Sequence, residues 1–247
     1  PLMDDTISDM LTRSMRRKGI QIRTGTRVTA VEKHEGGYRV SMSSEKEGET
    51  QVDVAAVLSA IGRAPNTEDI GLEVVGIQPT RRGIPVDDRM RTSVPGIYAV
   101  GDCAAEGPML AHVAMMQGVV AVEDALGHPA HMDYSAVPSC IFSLPEAAGV
   151  GLTEAEAREA GYDVITGMFP LVANGKALAY GDTEGFVKIV SESKDHAVLG
   201  MHALGAHASD LILEGTLLRK YESTLEDLER TIHAHPTLGE AIPEAGL

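Results

Sequence analysis

The hydrophobic periodicity changes several times along these 247 residues, and the order of those changes limits the fold more than any single motif. Ile7, Met10, Leu11 and Met15 share one helical face. Asp4 and Asp5 stand near the start of that helix, and Arg16-Arg17-Lys18 precede Gly19 at its end, charges that suit the helix dipole. Three β-rich runs follow, Ile20–Arg23, Val28–Lys33 and Tyr38–Ser43, punctuated by Gly25 and Gly36-Gly37. Residues Val52–Ile61 are nearly all apolar or small, the pattern of a strand buried on both faces. The sum is helix, strand, antiparallel meander, return strand. The strand–glycine loop–helix that opens a nucleotide-binding α/β domain is missing, and no Gly-x-Gly-x-x-Gly occurs anywhere in the sequence.

A short strand at Ile97–Val100 runs into Gly101-Asp102 and a helix predicted over Met109–Leu126. Gly127-His128-Pro129 then breaks the pattern. Beyond it, Thr153 caps a helix to Ala160, and Phe186–Val190 with Val198–Leu204 reads as a hairpin. Two helices close the pattern, Ala208–Lys220 and Thr224–Ile232, the second with Asp227 three residues after Thr224, close to a capping box. The expected class is α/β, with an α+β final segment whose mainly antiparallel sheet is flanked by helices. Three segments are expected: 1–64, 65–127 and 128–247.

Composition narrows the functions. The formal charge is −15, and residues 128–247 hold seven basic against eighteen acidic side chains. Such a chain does not hold nucleic acid or an anionic membrane by bulk electrostatics. Trp is absent and aromatics are 4% of residues, which disfavours a base-stacking platform. No apolar run reaches the ~18 residues of a membrane span. Cys103 and Cys140, 37 positions apart, form neither a dithiol motif nor a metal-ligand pair. His202 and His207 are read as structural.

Three stretches could carry chemistry. In His233-Ala-His235-Pro-Thr-Leu-Gly-Glu240, Pro236 keeps His235 out of the helical region and can open a helix, setting Glu240 about one turn in. A carboxylate facing that imidazole would fix its tautomer, as a general base requires. The spacing is equally that of a capping histidine beside a solvated carboxylate. In Tyr98-Ala-Val-Gly101-Asp102-Cys103, a carboxylate past a strand end can accept from sugar or ribityl hydroxyls, while Met109-Leu110-Ala111-His112 opens a helix whose N–H groups suit an anionic group such as the pyrimidine edge of a flavin. The other reading is an ordinary strand end with Asp102 in a turn. Ser59-Ala-Ile-Gly62-Arg63-Ala-Pro65-Asn66 ends a strand in a glycine turn and reads alone as a linker.

In this order and spacing, Ala60–Asn66, Gly101-Asp102 with Pro108–His112, Phe142-Ser-Leu-Pro-Glu146, Val150-Gly-Leu-Thr-Glu154 and His233–Glu240 resemble the C-terminal half of the pyridine nucleotide–disulfide oxidoreductases, on the branch that oxidises dihydrolipoyl groups. The resemblance implies roles. His235 would be the base that exchanges a proton with the substrate dithiol, and Glu240 would orient it. Asp102 would bind the FAD ribityl chain, and Met109, Leu110, Ala111 and His112 the flavin ring through backbone groups. Val28 and Gly62 match positions lining the NAD site. The three segments become the tail of an NAD domain, the returning part of an FAD domain and an interface domain. The resemblance further implies a homodimer formed through 128–247, the lipoyl domain of a 2-oxoacid dehydrogenase complex as partner, and a bacterial cytoplasm or a mitochondrial matrix as location.

The departures define an expectation too. The family's redox cysteine pair and both its glycine loops are absent from these residues, so a piece of a longer enzyme, inactive alone, is expected. A dimerisation or interaction module, a split-chain subunit, and a glutathione-reductase-like enzyme are the alternatives. A mercuric-reductase-like enzyme is disfavoured because no cysteine follows Cys140.

Overall fold

The computed structural model describes residues 3–247, so Pro1 and Leu2 lie outside the described residues. The chain divides into two compact units: Met15–Ala64, and the residues up to Ser14 together with Pro65–Leu247. A first helix, α1 (Asp5–Arg17), begins in the larger unit and ends in the smaller.

The smaller unit is a three-stranded antiparallel meander, β1 (Thr26–His34), β2 (Gly37–Ser44) and β3 (Gly48–Val54). Gly36 turns β1 into β2 with φ 76°. Arg39 on β2 donates to both carboxylate oxygens of Asp53 on β3, at 2.8 and 3.1 Å, so a cross-strand ion pair marks the register. Two sequence expectations fail here. Residues 20–23 form no strand, and the apolar run 52–61 is a strand only as far as Val54. Beyond that it is extended, with Leu58 and Ile61 91% and 97% exposed. An apolar run becomes a buried strand only when neighbouring strands satisfy its backbone and cover both faces. Among the described residues none pairs with 55–64. The third strand of the meander instead comes from the polar alternation at Gly48–Val54, which periodicity did not single out.

The larger unit is built on a five-stranded antiparallel sheet in the order β4-β5-β8-β7-β6. Its strands are β4 (Ser139–Ile141), β5 (Glu146–Gly151), β6 (Val164–Pro170), β7 (Phe186–Glu192) and β8 (Val198–Gly205). The predicted hairpin is its centre, with Phe186 opposite Leu204 and Lys188 opposite His202. Because side chains alternate, Val187, Ile189, Met201 and Ala203 point to one face. There they pack on α5 (Ala208–Lys220), α6 (Leu225–Glu229) and α7 (Ala241–Gly246). Gly215 lets α5 lie close to β8: a Cβ there would stand 2.7 Å from Met201 Cβ. On the other face Phe186, Leu204 and Ala147 pack against Ile7 of α1. Two short helices, α3 (Glu154–Glu159) and α4 (Gly175–Tyr180), sit at the connections. Thr153 and Thr224 close capping boxes with Glu156 and Asp227. Thr153→Ala should lower stability by about 1 kcal/mol, read as a shift in denaturant midpoint at constant slope.

The remaining long helix, α2 (Ala111–Ala125), is two residues shorter at its start than predicted. The expected strand 97–100 reduces to a single bridge between Arg91 and Tyr98, followed by a 3-10 turn at Gly101–Cys103. Near the end of α2, Asp124 is buried. Arg91 grips both its oxygens at 2.6 Å, and the Tyr98 hydroxyl and Arg89 donate at 2.8 and 3.4 Å. Arg91, opposed by burial and aided by Tyr98 and Arg89, lowers the Asp124 carboxyl from 3.8 to about 2. A depressed carboxylate contributes stability above its unfolded value and loses it as pH falls through the folded one. Stability should therefore drop between about pH 4 and 2. Asp124→Asn should remove that part of the slope in urea titrations run at several pH values.

Candidate active site

His235 lies in the turn before α7, and Glu240 is the residue from which α7 starts. The expected helix from Pro236 does not form: residues 236–240 are turn, the His235–Pro236 bond is cis, and Glu240 stands before the first helical residue instead of one turn in. Local hydrogen bonds account for that turn. Thr237 Oγ1 donates to the Ala234 carbonyl at 2.7 Å, and the Thr237 N–H donates to Glu240 Oε2 at 2.8 Å. The second oxygen, Oε1, lies 2.7 Å from His235 Nδ1. The Thr237 N–H, then His235, hold the Glu240 carboxyl below the usual carboxylate range. An ionised carboxylate only accepts, so His235 Nδ1 is the donor. In the neutral ring Nε2 then carries the lone pair, and the imidazole is exposed. The pair therefore presents an oriented, exposed lone pair that can accept a proton.

A second histidine–carboxylate pair, which sequence reasoning missed, holds the same loop. His233 has Nδ1 2.9 Å from the Thr231 carbonyl and Nε2 2.7 Å from Glu214 on α5. Glu214 sits in a helix 19 residues upstream, a separation with no local signature.

Asp102 occupies the 3-10 turn that packs against α2, seven to ten residues ahead of Met109–His112. Gly101, at φ 76°, opens that turn, and its N–H donates to Gln117 Oε1 at 2.7 Å. Buried Gln117 in turn donates to the Glu106 carbonyl and to the Tyr134 hydroxyl. Gln117 thus ties the Asp102 turn to the helix, a role that a polar residue in an Ala-, Met- and Val-rich helix could have signalled. Met109 and Leu110 precede α2, and Ala111 and His112 open it. No side chain caps this helix among the described residues, which leaves its first-turn N–H groups and positive dipole end for an acceptor. His112 Nε2 donates to the Pro138 carbonyl at 3.0 Å. Val28, exposed on β1, and Gly62, at φ 117° in the extended segment, belong to the smaller unit. Among the described residues no group of three or more His, Cys, Asp or Glu side chains could hold a metal ion, and no helix is long and apolar enough to cross a membrane.

A hydrogen-bonded histidine–carboxylate pair, a glycine turn with a carboxylate at an uncapped helix, and an antiparallel helix-backed sheet fit a flavin-linked disulfide oxidoreductase. Two family models agree. One, described as pyridine nucleotide-disulphide oxidoreductase, matches residues 1–118, and the second, the dimerisation domain of the same family, matches 137–246. The chain belongs to the pyridine nucleotide–disulphide oxidoreductases. It is similar to the dihydrolipoyl dehydrogenase of Bacillus subtilis, at 44% identity over 99% of this chain and 52% of that protein. The mitochondrial dihydrolipoyl dehydrogenase of Homo sapiens is 42% identical over 99% of this chain and 48% of its own length. Among solved structures, LpdA from Mycobacterium tuberculosis superposes with a TM-score of 0.90 at 33% identity, covering all of this chain and 53% of that one. The HOCl-induced flavoprotein disulfide reductase RclA from Escherichia coli does so with 0.90 at 27%, covering 99% and 55%. The chain spans about half the length of the curated relatives it matches.

Proposed function

We propose that this chain supplies the proton-handling and dimer-forming half of a dihydrolipoyl dehydrogenase, oxidising dihydrolipoyl groups with NAD+ by way of FAD and a redox disulfide. The observation that carries the reading is the His235–Glu240 pair, whose hydrogen bonds leave Nε2 as an exposed acceptor. His235 accepts the proton of a substrate thiol at Nε2, and Glu240 keeps Nδ1 protonated and balances the imidazolium that forms. FAD, when bound, supplies the two-electron relay between the disulfide and NAD. Residues of this chain fit that group. Asp102 offers a carboxylate for ribityl hydroxyls, and the backbone of Met109, Leu110, Ala111 and His112 would serve the ring, the N–H groups of Ala111 and His112 being uncapped while that of Leu110 donates to the Pro108 carbonyl at 2.9 Å. Val28 and Gly62 take the NAD side. The division into 1–64, 65–127 and 128–247 assigns these roles to an NAD part, an FAD part and an interface part.

The dimerisation-domain match supports a homodimer through 128–247. In this reading the thiol-bearing partner is a lipoyl domain of a 2-oxoacid dehydrogenase complex. A bacterial cytoplasm or a mitochondrial matrix is the setting in which such a complex would meet it. The test joins this chain to a segment carrying the redox cysteines and glycine loops, then measures NADH formation from dihydrolipoamide. Light scattering of the chain itself should report a dimer. A monomer at micromolar concentration would count against the interface assignment, and a joined protein that binds FAD but oxidises no dithiol would overturn the activity.

A further inference from the structure

The turn that carries His235 is fastened from a second direction. Asn174 is 4% exposed and 63 residues upstream of its contact. Its Oδ1 accepts from the backbone N–H groups of Lys176 and Ala177, both at 3.0 Å, and so caps α4. Its Nδ2 donates to the Thr237 carbonyl at 3.1 Å. The side chain therefore has two jobs on opposite ends of one amide. Thr237 is the residue whose N–H fixes Glu240 Oε2. Its two peptide groups are thus bonded on one side to Asn174 and on the other to the carboxylate that orients His235.

We propose that Asn174 is a positioning residue for the His235–Glu240 pair, acting through the Thr237 carbonyl. The inference rests on the reading of that pair as the proton acceptor, and it adds the long-range contact that sets its geometry. A buried amide has no local reason to choose this carbonyl, since the α4 cap needs only Oδ1. The Nδ2 bond would cost about a hydrogen bond's worth of stability if lost. Rotating the Thr237 peptide away from Asn174 would swing its neighbouring N–H off Glu240, and the carboxylate would no longer be held at the angle His235 Nδ1 requires. The rest of the turn leans on the same point: Thr237 Oγ1 already holds Ala234, and Leu238 next to it is buried in the sheet–helix core.

Two variants separate the jobs. Asn174→Asp and Asn174→Ser both keep a side-chain oxygen able to cap α4, and both lose the amide donor to Thr237. The protein is the full 247-residue chain labelled with 15N-histidine, studied at mildly alkaline pH. In the unaltered chain the His235 ring should show the Nδ1–H tautomer. In both variants the ratio of Nδ1–H to Nε2–H should fall by about fivefold, in the direction of Glu240→Gln, while backbone amide shifts of β7, β8 and α5 stay in place. Should the buried carboxylate of Asn174→Asp prevent folding, the neutral Asn174→Ser decides alone. A folded Asn174→Ser protein with an unchanged His235 tautomer would overturn the proposal and leave Asn174 as a helix cap only. The readout is geometric, so it stands apart from whether His235 handles the substrate proton, which the rate measurements test.

Discussion

His235→Ala is expected to slow dihydrolipoamide oxidation by roughly 10²–10⁴-fold in the protein joined to its redox cysteines. The loss should fall on kcat, with the KM for the dithiol little changed, because the ring handles a proton and does not supply the bulk of substrate binding. Glu240→Gln should give an intermediate loss. A glutamine can accept through one oxygen only, so either Thr237 N–H or His235 Nδ1 loses its partner and the tautomer is no longer fixed. The two changes should not add. Once His235 is gone, removing the group that orients it has little left to disturb, so the double variant should match His235→Ala. Stopped-flow measurement of disulfide reduction by the dithiol isolates this step from later electron transfer. Equal rates for the native and His235→Ala proteins in that step would exclude the assigned role and restore the capping reading of the histidine.

Lys188→Ala is expected to destabilise the larger unit by about 3–5 kcal/mol. Lys188 points from β7 into the sheet face covered by α1, with its side chain 7% exposed. Its ammonium meets both oxygens of Asp4 at 3.1 and 3.0 Å, Glu154 at 2.8 Å and the Thr6 hydroxyl at 3.3 Å. Burial works to lower the lysine, but Glu154 and Asp4 hold it above its ordinary value. Burial likewise pushes Asp4 up, and Lys188, His202 and the Thr6 N–H together more than offset it. Removing the cation leaves the carboxylate of Asp4, 2% exposed, without its partner, which is the expensive outcome for a buried charge. Asp4→Asn together with Lys188→Met should recover much of the loss, since a neutral amide and an apolar chain of similar length bury no uncompensated charge. Urea unfolding with unchanged slope would measure both. A Lys188→Ala midpoint within the error of the native protein would mean that water reaches the cluster and screens it. His202, opposite Lys188 on β8, shares this buried patch. Burial lowers its imidazole, while its Nε2 donates to the Leu152 carbonyl at 3.0 Å.

The strongest local signals survived folding because their causes are local. The Phe186–Val190 and Val198–Leu204 runs pair as expected, since two largely apolar runs joined by a short Lys-Asp turn are each other's nearest strand partners in sequence. Thr153 and Thr224 cap their helices with partners three residues away. Helix α5 has the predicted limits. The failures share one cause. Residues 20–23 and 55–61 have strand-like composition, but a strand is a relation between segments, and composition cannot supply the neighbour. The candidate site divides the same way. His235 and Glu240, five positions apart, were legible as a pair, whereas the turn that joins them was not, because Pro236 suited a helix start as well as a turn.

By itself the sequence determined which residues are candidates for chemistry and in what order: a histidine and a carboxylate five positions apart, a Gly-Asp step ahead of a helix, and no cysteine pair. It also determined the hairpin at the centre of residues 128–247 and the helix 208–220, while β4, β5 and β6 carried no signal strong enough to read. Only the tertiary structure decided how those groups are held. Gln117 reaches back 16 residues to Gly101, Glu214 forward 19 to His233, Asn174 forward 63 to Thr237, and Lys188 back 184 to Asp4. The physical reason is that a buried polar group must find a partner wherever the packed chain places one. That choice depends on how the sheet and helices meet in space, and neither spacing nor periodicity records it.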